Sequence, residues 1–322
     1  MSEEMRNTSR TYDQLGREYV SPRHQTTEFF YRTQEKSLGG FILSANRHLG
    51  IPLDEVHLLN VGGGSHGNSS VMTGALRIRG DLDNRGLNMR NLTYLDISQK
   101  ALAEFRHNLV GKSLEIGAVE ITKQSDAWEK LDPSERRRLF DEMMLIPAED
   151  MLSFAQQHNL LSGIDQALYG GYIVGDAQLM PVASGSQEIV FAALCDGIPD
   201  QKAFFSEAMR VLKPRGALIT TYPAAELNRF IREQIYHIST DTTRFVIEGK
   251  THIIPSKTLT PEELHEMYQN AGYIAIETKN IMHNRSSNVA PSPTIRTALD
   301  RMGKSISEVP ILVGGVGFKS AR

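Results

Sequence analysis

Residues 56–68 read VHLLNVGGGSHGN. Val56, Leu58, Leu59 and Val61 form a short apolar run that stops at glycines, the pattern of a buried parallel strand. Gly62, Gly63 and Gly64 permit a turn with positive φ and let a ligand approach the backbone. Residues 68–72, NSSVM, can open a helix. Its unpaired N–H groups and positive dipole end then face whatever lies over the glycines. Strand, glycine turn and helix N-terminus together make a nucleotide-type site at the carboxyl edge of a sheet. Gly62, Gly64 and Gly67 also satisfy G-x-G-x-x-G, which keeps a nicotinamide or flavin dinucleotide in contention beside a purely structural glycine turn.

The composition narrows the classes. Of 322 residues, 40% are hydrophobic and 23% charged, which is ordinary for a globular protein. That length allows one large α/β domain with insertions, or two domains. The net charge of −3 gives no global basic excess for nucleic acid. The ten histidines show no metal-ligand spacing, and the single cysteine, Cys195, excludes an intrachain disulfide and a cysteine-rich zinc site, so no metal is expected. One cysteine suits a reducing compartment. No apolar run reaches the roughly 20 residues that span a bilayer. The opening MSEEMRNTSR is polar and unlike a secretory signal, so a cytoplasmic chain without membrane contact is expected.

Outward from the glycine loop, the pattern alternates strand and helix. Upstream, Leu38, Phe41, Ile42, Ala45 and Leu49 recur on one helical face, and Gly50 and Pro52 end it. Downstream, residues 92–97 (LTYLDI) read as a second strand ending on Asp96, followed by a helix over 98–107. Strand, helix, strand, helix implies a parallel sheet with right-handed crossovers. Residues 110–170 break the rhythm with helical patterns carrying Phe140, Met143, Met144, Met151 and Phe154, and read as an insertion far longer than the usual 2–6-residue connection. The sheet resumes at residues 172–176, YIVGD, and at 189–194, IVFAAL. A helix over 202–212 should turn Phe204, Phe205, Ala208, Met209 and Leu212 inward. Lys213-Pro214-Arg215-Gly216 is a tight turn, read as type I because Arg215 stands where a type II turn wants glycine. Residues 217–222 are a strand, and 224–257 a less legible covering segment. Thr260-Pro261-Glu262-Glu263 matches a capping box and opens a helix ending at Ala271-Gly272. A strand over 273–281, a loop over 284–293 and a glycine-studded strand over 311–318 complete the chain.

These landmarks, in this order, resemble those of the class I S-adenosylmethionine-dependent methyltransferases. They are the glycine loop at Asn60-Val61-Gly62-Gly63-Gly64-Ser65-His66; Asp96 at the second strand end; Gly175-Asp176 with Leu179-Met180-Pro181; Arg210-Val211-Leu212-Lys213-Pro214-Arg215-Gly216; and the acidic helix over 260–272. The resemblance covers residues 50–108, 172–222 and 258–319. It implies one methyltransferase-like domain over 1–322 on a doubly wound, mostly parallel, seven-stranded Rossmann-like α/β sheet. Residues 1–50 become an N-terminal helical cap, 110–170 a helical lid and 224–257 a second cover. It also implies S-adenosyl-L-methionine as cofactor. Two departures stand out. Asn60 occupies the place of an acid and cannot pair ionically with the ligand's ammonium group. His66 occupies the place of the third glycine.

The resemblance implies roles that suit the ligand's chemistry. Gly62, Gly63 and Gly64 admit its amino-acid end, with Asn60 beneath. Asp96 offers a bidentate acceptor to the ribose diol. Asp176 and the backbone N–H of Ala177 address the adenine, with Ile97 and Leu179 against the ring. Asp196, after the next strand, is counted with the cofactor contacts. The plain alternatives are a strand-end acid for Asp96, a helix cap for Asp176, core packing for Leu179 and a core thiol for Cys195. Methyl transfer chiefly needs alignment, so catalytic residues can be few. His66, His237 and His252 are the candidate bases, with surface or capping roles as the alternative. Leu194-Cys195-Asp196-Gly197 lacks the Asn/Asp-Pro-Pro-aromatic step of nucleic-acid and some protein amino-nitrogen methyltransferases. The expected activity is therefore methyl transfer to oxygen or carbon of a small molecule. The rivals are a nicotinamide-dependent oxidoreductase, a non-catalytic cofactor-binding adapter, and a methyltransferase acting on protein or RNA. The oxidoreductase loses ground because Asp96 lies farther past Gly67 than the roughly 20 positions usual. A homo-oligomer stays open.

Overall fold

The computed structural model describes residues 25–63, 91–103, 171–247, 249–283 and 290–321. Its elements in order are α1 (Gln25–Leu49), β1 (Leu58–Val61), β2 (Leu92–Asp96), β3 (Gly171–Val174), β4 (Gln187–Ala192), α2 (Gln201–Val211), β5 (Leu212–Pro223), α3 (Ala225–Phe230) running into a π-helical turn (Ile231–Ile235), β6 (Thr242–Ile247), β7 (Lys250–Pro255), α4 (Pro261–Asn270), β8 (Ile274–Met282), α5 (Pro293–Met302) and β9 (Pro310–Phe318).

Seven strands form one sheet in the order β3-β2-β1-β4-β5-β9-β8, while β6 and β7 pair as a separate hairpin. The pairs from β3 through β5 are parallel, and β9 runs antiparallel to both β5 and β8. Every strand but β9 therefore points its carboxyl end to the same edge. From β1 the chain winds outward through β2 and β3, then returns to β4 on the other side of β1. This reversal makes β1/β4 the topological switch point, where an open α/β sheet leaves a crevice for a ligand.

Period-two alternation accounts for both covered faces. Leu58, Ile189, Phe191, Ala217 and Ile219 pack with α1, α3 and α5. Leu59, Val61, Val190, Ala192 and Leu218 pack with α2 and α4 on the opposite face. A strand covered on both faces has no polar side, so β1 and β4 read as nearly continuous apolar runs. The expected face of α1 is observed: Leu38, Phe41, Ile42 and Ala45 are fully buried and Leu49 nearly so. At roughly 1.5–3 kcal/mol for each large apolar side chain, this burial dominates the docking of α1. The expected capping box forms at Thr260 and Glu263, with Pro261 at the first helical position.

Three local expectations are corrected. Arg215 takes a left-handed backbone (φ 65°) behind Pro214, so the turn keeps the type II requirement and the arginine adopts the glycine's conformation. Residues 284–293 read as loop because they are rich in Ser, Asn and Pro; yet Pro293 opens α5, capped by Ser292 Oγ accepting from the Ile295 N–H at 3.4 Å. The α2 helix stops at Val211, and Leu212 already belongs to β5. The insertion over 110–170 lies outside the described residues, as do Gly64 and His66. Among the described residues, no helix is long and apolar enough to cross a membrane.

Candidate active site

The loops after β1, β2 and β3 are set side by side by ladder bonds that continue past the strand ends. The Gly62 N–H donates to the Leu95 carbonyl at 2.8 Å, and the Gly175 N–H to the Asp96 carbonyl at 2.9 Å. Gly62 has φ +66°, and nothing lies within 4 Å of where its Cβ would be. It is thus an open, exposed point where a ligand can meet the backbone. Asp96 is buried to 6% exposure at the end of β2, and its Oδ1 accepts from the Ser98 N–H at 2.8 Å. That bond locks the carboxylate's rotamer beside the glycine loop. Asn60 is buried within β1, level with Tyr94 and Phe191. Ile97 is half-buried directly after Asp96.

The loop after β3 is clamped from α2. Gly175 is required by packing, because a Cβ there would meet Pro181 Cδ at 2.8 Å. Asp176 is half-buried and closes a local turn, its Oδ1 accepting from the Gln178 N–H at 2.8 Å. Ala177 packs against the α2-side core. Arg210 Nη2 donates to the Met180 carbonyl (2.8 Å) and Nη1 to the Val182 carbonyl (2.9 Å), while Glu207 Oε2 accepts from the Met180 N–H (2.9 Å). Arg210 and Glu207 also pair with each other at 2.8 Å, which holds the Glu207 carboxyl below its ordinary range. The arginine of the Arg-Val-Leu-Lys-Pro stretch is thus a brace for the segment that carries Asp176. Leu179 is 74% exposed, which excludes the core packing that was its plain alternative.

The loop after β4 is fixed by long-range bonds. Gln201 Nε2 donates to the carbonyls of Cys195 (2.9 Å) and Ile198 (2.8 Å), and Tyr222 Oη donates to Gln201 Oε1 (2.6 Å). Asp196 Oδ2 accepts from Ser256 Oγ, whose residue is in turn gripped by Arg232 through both its carbonyl and its hydroxyl. Burial raises the Asp196 carboxyl above its ordinary range, against the lowering pull of Ser256 and Arg232. Beside it opens a cavity of about 450 Å³, between the start of α2 and the base of the β6–β7 hairpin, lined by Asp196, Asp200, Lys202, Asp241 and Lys257. Cys195 is the core thiol the sequence suggested: burial pushes its pKa up, so it remains neutral.

The other candidates are not gathered here. His237 is exposed, and its Nδ1 lies 3.1 Å from the Glu233 carbonyl. His252 is half-buried on β7, up the hairpin from its base. Among the described residues, no hydrogen bond ties either ring to Gly62, Asp96 or Asp176. No group of His, Cys, Asp and Glu among them can hold a metal ion. The sequence reading passed over Glu207, Gln201 and Ser256, whose partners lie far along the chain.

Residues 137–220 match a family model described as a methyltransferase domain; its described part carries β3, β4, α2 and most of β5. The switch-point site and the sheet order agree with that match. The sheet has the fold of the class I S-adenosylmethionine-dependent methyltransferases, and residues 137–220 are similar to a methyltransferase domain. The open backbone at Gly62, with carboxylates after β2 and β3, fits S-adenosylmethionine as cofactor. Among curated proteins, a malonyl-[acyl-carrier protein] O-methyltransferase of Hahella chejuensis is 30% identical over 102 residues, covering 31% of this chain and 33% of that protein. The match therefore spans about a third of the curated relative. Among solved structures, the complex between the Haloferax volcanii Trm112 methyltransferase activator and a methyltransferase aligns over 91% of this chain and 95% of that chain, at 16% identity and TM-score 0.47. Phosphoethanolamine N-methyltransferase 2 of Haemonchus contortus, with phosphomonomethylethanolamine and S-adenosylhomocysteine, aligns over 95% of this chain and 59% of that chain, at 14% identity and TM-score 0.47.

Proposed function

We propose that this class I chain transfers a methyl group from S-adenosylmethionine to oxygen or carbon of a small-molecule acceptor. The observation that carries this reading is the convergence of Gly62, Asp96 and Asp176 on one edge, at the switch point of a doubly wound sheet. The cofactor, when bound, supplies an activated methyl group; the chain's own residues hold and align it. Gly62, Gly63 and Gly64 admit its amino-acid end over Asn60. Asp96 accepts from the ribose hydroxyls. Asp176, Ala177 and Ile97 enclose the adenine, and Asp196 closes the far side. The Leu194–Gly197 step supports an acceptor other than a nucleic-acid amino group, and the curated relative is by name an O-methyltransferase. Residues 110–170, α1 and 224–257 form the cover that excludes water and aligns the acceptor. A single cysteine suits work in the cytoplasm.

Calorimetric titration with S-adenosylmethionine, S-adenosylhomocysteine and NAD tests the reading. Micromolar binding of the first two and none of NAD is expected, in the range typical of enzyme ligands. Selective binding of NAD would overturn it. Cofactor binding with no methyl transfer to any acceptor, in extracts or in small-molecule panels, would favour the adapter that Asn60 brings to mind.

A further inference from the structure

The sheet-facing side of α1 carries two polar side chains, Thr33 and Gln34, only 2% and 0% exposed. They lie on the half of α1 that reaches the carboxyl edge. There Phe29 stacks on His283, which follows β8, at 5.0 Å between ring centroids; at the opposite end His48 packs on Phe318. A relay from β4 and β5 holds Gln34. Leu194, just past β4, adopts a left-handed backbone (φ 53°, ψ 51°) unusual for a non-glycine residue. Its N–H donates to Thr221 Oγ1 at 2.9 Å, and the Thr221 hydroxyl donates to Gln34 Oε1 at 2.7 Å. This chain of donors orients the amide and leaves Gln34 Nε2 buried with no partner among the described residues. Thr33 Oγ1 and His283 Nδ1 are likewise buried and unpartnered. Unmet buried donors and a strained strand end are both unfavourable, and they persist together where a ligand completes them.

We infer that Gln34 and Thr33 form the acceptor subsite, and that it takes a carboxylate. The inference rests on the methyltransferase reading and adds the acceptor's class to it. An amide N–H and a hydroxyl are two neutral donors, and one carboxylate offers lone pairs to both. No anion among these groups would hold an ammonium acceptor. The chemistry agrees with the groups present. A carboxylate oxygen lone pair forms the new bond to the methyl carbon while the carbon–sulfur bond breaks toward sulfur. The attacking oxygen carries no proton, so none has to be removed. No histidine is then required as a base, consistent with His237 and His252 standing elsewhere.

The test uses the full chain loaded with S-adenosylhomocysteine, with octanoate and octylamine as probes, followed by calorimetry and by NMR of side-chain amides. Octanoate should bind and shift the Gln34 amide pair, identified by its absence in Gln34→Leu. Gln34→Glu should weaken octanoate at least tenfold while S-adenosylhomocysteine affinity stays within twofold, and octylamine should not be weakened. Should buried charge unfold Gln34→Glu, the near-isosteric Thr33→Val gives a second reading: octanoate severalfold weaker, melting temperature unchanged or raised. The inference is overturned if octanoate does not bind, if it leaves the Gln34 amide unmoved, if octylamine binds more tightly, or if Gln34→Glu and Thr33→Val bind octanoate like the wild type. Failure of the wild type to bind S-adenosylhomocysteine is a separate result, which overturns the methyltransferase reading and this inference with it.

Discussion

Replacing Asp96 separates its structural duty from its binding duty. The structure assigns Oδ1 to the Ser98 N–H at 2.8 Å, in a residue 6% exposed. Asp96→Asn keeps an oxygen for that bond but exchanges an anionic acceptor for a neutral amide. If the carboxylate accepts from the ribose hydroxyls, the loss is that of a hydrogen bond to a charged group, about 1.5–3 kcal/mol, or about 12- to 160-fold in affinity. Stability should change little. Asp96→Ala should lose the same affinity and, in addition, about 1–3 kcal/mol of stability, because the buried Ser98 N–H is left without its acceptor. Calorimetry with S-adenosylmethionine and S-adenosylhomocysteine, paired with urea unfolding, measures both quantities on each variant. A folded Asp96→Asn chain that binds either ligand within twofold of the wild type would refute the placement of the ribose at the end of β2.

Three further outcomes are expected. Gly175→Ala should destabilise by about 1–3 kcal/mol, the usual range for overpacking, because its Cβ would sit 2.8 Å from Pro181 Cδ; cofactor affinity should fall with it, since Asp176 is the next residue. Arg215→Gly should raise stability by up to about 1 kcal/mol by relieving the left-handed backbone, partly offset by the lost bond from Arg215 Nη2 to the His48 carbonyl at 2.6 Å; a lower melting temperature would contradict it. Asp196, whose carboxyl is raised by burial, holds its proton more tightly folded than unfolded. Its contribution to stability is therefore full below the ordinary aspartate range and is lost as pH rises through the folded value. Asp196→Asn cannot titrate, so its stability relative to the wild type should increase from about pH 4 toward neutrality; a flat or falling difference in urea unfolding would contradict this.

Local chemistry was enough for much of the fold. Leu38, Phe41, Ile42, Ala45 and Leu49 declare the buried face of α1 by spacing alone, and the capping box at Thr260 and Glu263 declares the start of α4. Such signals are legible because helix periodicity and caps are satisfied within one or two turns of chain. The turn glycine Gly62 and the acids Asp96 and Asp176 after β2 and β3 were legible for the same reason, as each is a property of its own turn. Where local signals competed, the reading failed. The polar stretch before Pro293 hid α5, and Arg215 was assigned the turn its side chain prefers instead of the one the strand pairing imposes.

What the sequence by itself determined was therefore the alternation of elements, the class of sheet and the residues that end its strands. Only the tertiary structure decided which of those ends meet. Arg210 braces the segment after Asp176 through carbonyls that no side-chain pattern encodes. Asp196 is joined to Ser256, and Gln34 to Thr221 and through it to Leu194, across separations that only sheet order and helix docking close. A buried polar atom's need for a partner is a property of the space around it, and that space exists only once α1 has been laid on the face of the sheet.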